Sequence, residues 1–316
     1  MTSWPDQQKT ARALASLDLL VCIDPWPTPT TTFAHYILPP LMQYERADLP
    51  MYLPGFANWA GAWSQYTPPV VAPPRQSDLV DDWYVFWSLA KRLGRTITYN
   101  GARRLDMQNP PTSDELLELV LHGAPHNLAE LKAHQHGCHA AIDQPTVLPA
   151  DPDETGKFDP MPADVADELR RFLASRGKPG EWRRDGRVFT HLLSTRRMRD
   201  LFNSNRRFVS TVRERTPYNP AFLHPDELAA LGLVPGDKVE IESAHGRVAA
   251  MVDVDPALRP GVVALAHAWG DPPGSNATVE QAGTPVNRLI DTNRNYEPVN
   301  AMPHMSAIPV NIVPLR

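Results

Sequence analysis

The sequence predicts an α/β segment followed by a β-rich domain, and three observations carry that prediction. A continuous apolar run, LDLLVCID at 17–24, has the length and composition of a strand covered on both faces. Helical patterns dominate from 78 to 134. From 187 onward the apolar residues alternate instead, in KVEIES (238–243), RVAAMVDVD (247–255) and AIPVNIV (307–313).

Each element has its own local reason. The first run stops at PWPTPTTT, whose prolines cannot continue a sheet interior, and HYILPP (35–40) is a second short strand. DLVDDWYVFWSLAKRLG (78–94) predicts a helix with Trp83, Phe86, Trp87, Ala90 and Leu93 on one stripe. Asp78, Asp81 and Asp82 open it, Lys91 and Arg92 close it, and Gly94 suits the C-terminal cap. Thr112 with Glu115, and Asn127 with Glu130, have the spacing of capping boxes and open helices over 112–123 and 127–134. DQPTVLPADPDETGKFDPMP is acidic and proline-rich, as linkers are. ADVADELRRFLAS follows as an amphipathic helix with Val165, Leu169, Phe172 and Leu173 on one face and Gly177 behind it. Among the later strands PDELAALG (225–232) is a helix with Pro225 at its first position, and AHG (244–246) is a tight turn. LVPGDKVEI and LRPGVVALA share a frame of Pro-Gly and then a strand, which hints at a pseudo-symmetric barrel. The domains expected are 1–145, a linker with one helix at 146–186, and 187–316.

Composition narrows the function classes. A net charge of −5 argues against bulk nucleic-acid binding, though a local basic site stays open. No apolar run approaches the ~20 residues that span a bilayer, and the polar N-terminus does not read as a signal peptide. Cys22 and Cys138 are the only cysteines, so a reducing, cytoplasmic setting is expected and a four-cysteine iron–sulfur cluster from this chain alone is excluded. There is no Gly-rich phosphate loop, no GxSxG and no HExxH.

Four clusters could carry chemistry. HLLSTRRMRDLFNSNRRF (191–208) brings Arg196, Arg197, Arg199, Arg206 and Arg207 to the end of an apolar strand, beside Ser194, Thr195, Asn203 and Ser204. Guanidinium groups suit phosphate oxygens and Asn203 can read a polar heterocycle; the alternative is a solvated basic surface. TPVNRLIDTNRNYEPVNAMPH (284–304) gathers Asn287, Asn293, Asn295 and Asn300 with Arg288 and Arg294, either as ligand-reading amides or as turns. Asp24, with Thr28, Thr30, Thr31 and Thr32, follows the first strand, where open α/β sheets bind ligands, or simply closes that strand. HQHGCH (134–139) holds zinc-type ligands but lacks a second separated pair, so a polar loop is the alternative.

These segments, in this order, resemble the dimethyl sulfoxide reductase family of molybdopterin oxidoreductases. LDLLVCIDPWPTPTTTFAHYILPPLMQYERAD is similar to its strand, Asp, threonine-rich turn and "ADVVLP"-like strand. WYVFWSLAKRLG resembles its "LARRLG" helix, HLLSTRRMRDLFNS the opening of its C-terminal cofactor domain, NPAFLHPDELAALGLVPGDKVEIESAHGRV the series after that, and VNRLIDTNRNYEPVNAMP its closing Asn loop. The resemblance implies the end of the α/β domain followed by a C-terminal double-psi β-barrel (aspartate decarboxylase-like) domain. It implies a bis(molybdopterin guanine dinucleotide) cofactor with molybdenum or tungsten. By motif position, cofactor contact is expected at Ser194, Thr195, Arg196, Arg197, Asn203 and Ser204, then at Asn219, Asn287 and Asn300. Asp24 and Thr28 are expected to recognise guanine, in a cleft shared with the arginine loop and Asn287. The sequence also departs from the family. His35 stands where the family has Asp, ANWAGAWSQY replaces an Asn-x-Glu-Gly-Arg pattern, and the cluster cysteines and metal-ligand segment are missing. The chain thus looks like the C-terminal portion of such an enzyme, inactive alone, whose partner is a separate chain carrying the N-terminal catalytic half unless the chain is a truncated product. The competing function is a non-enzymatic barrel that binds RNA or another polyanion through the Arg196–Arg207 loop.

Overall fold

The computed structural model describes residues 1–49, 63–99, 103–139, 149, 151–175, 181–294, 296–298 and 300–315. The chain divides into two units: Met1–Cys22, Pro27–Tyr36 and Lys157–Arg316 form one, and Ile23–Trp26 with Ile37–Gly156 the other. In chain order the strands are β1 (Val21–Ile23), β2 (Tyr36–Leu38), β3 (Trp63–Ser64), β4 (Thr98–Tyr99), β5 (Arg103–Arg104), β6 (Cys138–His139), β7 (Trp182–Arg184), β8 (Arg187–Phe189), β9 (His191–Arg196), β10 (Ala221–Leu223), β11 (Lys238–Ser243), β12 (Arg247–Val254), β13 (Val262–Ala266) and β14 (Ile308–Pro314).

Six of these strands close into a barrel in the order β10-β12-β11-β14-β9-β13. The pairs β9–β13 and β10–β12 run parallel, and the other four are antiparallel. Alternation explains the closure. Val239 and Ile241 of β11 and Ile308, Val310 and Ile312 of β14 are buried, while their sequence neighbours are at most half-buried. These residues join Leu193, Ala221, Leu223, Val252, Val263 and Leu265 in one core. The shared Pro-Gly frame has a structural counterpart. Gly236 and Gly261, which precede β11 and β13, both take a positive φ, 94° and 83°, that a side chain would strain. At the other end of β9, His191 Nε2 lies 3.2 Å from Glu227 Oε1, on the helix Pro225–Ala230 that Pro225 opens.

The second unit is built from short pieces. Its β3 pairs with β6 and its β4 with β5 as two-stranded ribbons. Both expected capping boxes are present: Thr112 N donates to Glu115 Oε2 at 2.7 Å, and Asn127 N to Glu130 Oε2 at 3.1 Å. They open the helices Ser113–Val120 and Leu128–Ala133, whose Leu121, Leu128 and Leu131 pack with Leu49 and Cys138. The helix Asp82–Arg92 buries Trp87, whose Nε1 donates to the Asp106 carbonyl at 2.9 Å.

Some expectations change. Only Val21–Ile23 of the run 17–24 is strand, and none of residues 17–24 is buried, so it is no doubly covered sheet strand. On the helix Asp82–Arg92 the expected stripe is not a packed face, since Phe86 and Leu93 are exposed. The helix Ala163–Ser175 has the expected bounds, yet Val165, Leu169, Phe172 and Leu173 are all exposed. In HQHGCH, Cys138 is buried beside leucines and His134 Nδ1 contacts the Glu130 carbonyl; no group of three metal-ligating side chains gathers among the described residues. Asn295, Gly177 and the ANWAGA stretch (57–62) lie outside the described residues.

Candidate functional site

β9 leaves the barrel core at Leu193 and delivers Ser194, Thr195 and Arg196 to its rim. There the chain enters the arginine loop, in which Asp200, Asn203 and Arg206 all have positive φ, at 66°, 51° and 72°. Asparagine and aspartate tolerate this region; Arg206 strains the backbone by roughly 1 kcal/mol or more. What holds the loop is beneath it. Leu201 is buried with Val212, Ala266 and Trp269, a small core separate from the barrel interior.

The five arginines divide into two kinds. Arg196 donates to Asp255 Oδ2 at 2.9 Å and lies 4.4 Å over the Phe222 ring; its hydrogen bond holds the Asp255 carboxyl below the usual range. Arg207 is buried, donates to the carbonyl of Ala268 at 3.0 Å, and sits 5.1 Å from the Trp269 ring centroid. Burial lowers its pKa, since a desolvated guanidinium resists charge. Arg197, Arg199 and Arg206 are exposed and form no ion pair among the described residues. The loop therefore presents three unneutralised cations and anchors itself with the other two.

The other predicted residues have different surroundings. Thr195 N donates to Ser306 Oγ at 3.2 Å, and Ser194 stands opposite Ala264 in the ladder. Ser204 is half-buried next to the exposed Asn203. Asn219 is fully buried: its Nδ2 donates to the carbonyls of Ala266 (2.7 Å) and Thr284 (3.0 Å), and its Oδ1 accepts from Thr284 N at 2.6 Å. Asn287 is also fully buried, its Nδ2 donating to the carbonyls of Met1 (3.1 Å) and Trp4 (2.6 Å). These two amides brace the fold from inside. Asn300 is exposed, and its backbone N donates to Glu297 Oε2. Thr28 closes a local turn, its N donating to Thr31 Oγ1 at 2.9 Å. Asp24, in the other unit, accepts from Trp26 N at 3.0 Å.

Stretches far apart in sequence do converge. Asn219 ties Ala266 to Thr284, and Arg207 binds the Ala268 carbonyl, so the arginine loop and the segment entering 284–289 rest on the same stretch after β13. Arg288, half-buried with its pKa lowered by desolvation, donates to the Asp271 carbonyl at 2.7 Å on that same stretch. The cavity under Arg196, Arg197, Asn203 and His267 is only about 10 Å³, room for about one water. A large ligand would lie on this surface, not inside it.

Sequence reasoning missed His267. Its Nε2 lies 2.8 Å from the side-chain amide of Asn203, and its Nδ1 is 3.3 Å from the Arg196 carbonyl. The ending of β13, LAHAWGD, carried no signal that singled it out.

Residues 192–309 match the family model of the molydopterin dinucleotide binding domain. The chain is 24% identical, over 314 residues, to the acetylene hydratase of Syntrophotalea acetylenica, covering 96% of this chain and 41% of that protein. The structure of acetylene hydratase from Pelobacter acetylenicus superposes with a TM-score of 0.67 at 19% identity, covering 99% of this chain and 42% of that one. The chain thus spans about two fifths of the length of these relatives. Residues 192–309 are thus similar to the molydopterin dinucleotide binding domain, within a chain that is similar over nearly its whole length to part of an acetylene hydratase.

Proposed function

We propose that this chain is the dinucleotide-holding C-terminal portion of a molybdenum or tungsten oxidoreductase, and that it binds molybdopterin guanine dinucleotide on the loop after β9. The carrying observation is the division of the arginines. Among the described residues, Arg197, Arg199 and Arg206 have no carboxylate partner, and they stand on a loop whose conformation is held from below. That donor set fits the pyrophosphate of such a cofactor, because guanidinium groups bind phosphate oxygens with charge-assisted hydrogen bonds. Ser194, Thr195, Asn203 and Ser204 are the neighbouring donors for its pterin and phosphate oxygens. Arg196 contributes through its backbone and through the Asp255 bond that orders the strand end. Asn219 and Asn287 act indirectly, by bracing the segments on which the loop rests. Asn300, Thr28 and Asp24 complete the expected set, the last two toward guanine. When bound, the cofactor supplies oxygen-atom or hydride and proton transfer at its metal, coupled to electron transfer; this chain binds, orients and shields it.

We infer a double-psi barrel, supported by the two parallel pairs β9–β13 and β10–β12 in an otherwise antiparallel closed sheet. The unit Ile37–Gly156 is read as the end of an α/β domain. Its remainder, with the metal ligand and any cluster, would come from elsewhere, as a separate chain or a longer product. The chain alone is then inactive and holds the cofactor weakly.

The test is to express the chain in a host that makes the cofactor, alone and together with an N-terminal half from a relative, and to denature the product in acid. Pterin fluorescence with released guanosine nucleotide, stronger in the combined sample, is the expected result. Absence of both from both samples overturns the proposal. If the chain instead retains RNA, with affinity falling steeply as salt rises, the loop is a polyanion site.

A further inference from the structure

Of the rings Phe202, Phe208, Phe222 and Trp269, on or beside the arginine loop, three have a guanidinium near a face. Arg196 lies 4.4 Å over Phe222, and Arg207 lies 5.6 Å from the Phe208 centroid and 5.1 Å from that of Trp269. The fourth, Phe202, is 64% exposed and has no cation or second ring over it among the described residues. Its neighbour Leu201 is buried in the small core beneath the loop, so the chain turns one apolar side chain in and the next one out. The Phe202 carbonyl accepts from Asn205 N at 2.8 Å, and the two residues form an antiparallel bridge, which closes a tight turn. Arg199 and Arg206, both exposed and without an ion pair among the described residues, flank that turn in the sequence. An exposed phenylalanine forgoes the gain of burial and brings no hydrogen bond in return. On an anchored loop among free guanidinium groups it offers an apolar face for a planar ring, with cations for the phosphates joined to that ring.

We propose that Phe202 is a stacking residue, whose ring takes the planar face of the pterin while Arg197, Arg199 and Arg206 hold the diphosphate. This inference rests on the reading above that the loop binds the dinucleotide, and it adds a contact that motif position did not indicate. The pterin is the ring assigned because of the loop's other donors. Ser194, Thr195, Asn203 and Ser204 belong to the same strand end and loop, and their hydroxyl and amide groups suit the polar edge of a heterocycle whose face is apolar. Stacking and edge contacts then act on different parts of one ring and do not compete.

The test uses the full chain and two probes, 6-hydroxymethylpterin diphosphate and inorganic pyrophosphate, with binding followed by calorimetry and folding by thermal melting. Phe202→Ala is expected to weaken the pterin probe about five- to tenfold, the lower end of what one aromatic stack is worth, and to change pyrophosphate affinity by less than about twofold. Phe202→Tyr keeps the ring face and should restore binding of the pterin probe. Phe202→Leu keeps an apolar side chain without that face and should lose most of what the alanine variant loses. Guanosine 5′-diphosphate is a third arm: a loss seen with it and not with the pterin probe assigns the ring to guanine and overturns the pterin contact. Equal losses for the pterin probe and pyrophosphate, no loss for either, or a melting midpoint that falls while both affinities hold overturns the stacking role and leaves the cofactor reading intact. If the unaltered chain binds the probes too weakly to measure, the pterin retained by the co-expressed sample is the readout; Phe202→Ala should lower it severalfold, and an unchanged content overturns the inference. Binding of neither probe, together with no pterin in the co-expressed sample, removes the cofactor reading and this inference with it.

Discussion

The two units handle their apolar residues differently. The barrel joins buried side chains from all six strands into one interior, and Leu193, Leu223, Val239, Ile241 and Leu265 are wholly inaccessible. Among the described residues of the unit Ile37–Gly156 the buried cluster is Leu49, Leu121, Leu128, Leu131 and Cys138, with Trp87 buried apart from it, while Phe86 and Leu89 of the helix Asp82–Arg92 and the following Leu93 are exposed. Its β3–β6 and β4–β5 ribbons are two strands each, a size that is marginal in water. Closure removes sheet edges and gives every inward residue a partner; isolated ribbons do neither. The barrel is therefore the part expected to be self-sufficient, and the other unit the part that gains most from added structure.

The sharpest way to break this contrast is a matched pair of truncations. Leu193→Ala should cost the barrel about 2–5 kcal/mol by leaving a cavity, read as a shift of the urea midpoint. Phe86→Ala should move it by less than about 0.5 kcal/mol. Equal effects would mean that Phe86 is covered in solution. Next in size is Asn219→Ala, which strands the Thr284 N–H and two carbonyls; a loss of about 3 kcal/mol is expected, with faster amide exchange at Thr284. A third effect concerns acid. Burial lowers the His191 pKa from 6.5, with the Glu227 carboxylate opposing. Because the folded state binds this proton less readily than the unfolded one, stability is full above about pH 6.5 and falls as the pH drops toward the lowered folded value. His191→Gln should flatten that slope in pH-dependent melts, and an unchanged slope assigns it to other groups. Smallest is Thr112→Ala in the other unit, about 1 kcal/mol of local helix stability, visible as hydrogen exchange in Ser113–Val120 without change in the barrel.

Legibility in the sequence followed the range of the cause. Capping boxes at Thr112 and Asn127, Pro225 at a helix start and the alternation in β11, β12 and β14 are local, and each can be read from adjacent residues. The apolar run at 17–24 misled because an apolar strand says what it would bury, not whether a cover is present. Within the site, a count of arginines could not separate Arg207, which binds carbonyls inside the fold, from Arg206 beside it, which does not. Nor could it pair Arg196 with Asp255, just after β12, or Asn203 with His267, just after β13, contacts that closure of the barrel brings together across long stretches of sequence. Asn219 looked like a ligand contact by motif position; its amide is engaged on three sides within the barrel unit.

The same tight junction governs how the rim can move. A Cβ on Gly283 would lie 2.5 Å from Asn219 Oδ1, and one on Gly270 would meet Pro285 at 2.5 Å, so neither position has room for a side chain. Lifting the loop's support at Ala268 must drag both segments or tear their shared bonds. If the loop holds the dinucleotide as proposed, loading and release should then proceed as a single step, without a partly opened loop that lets the nucleotide end leave first.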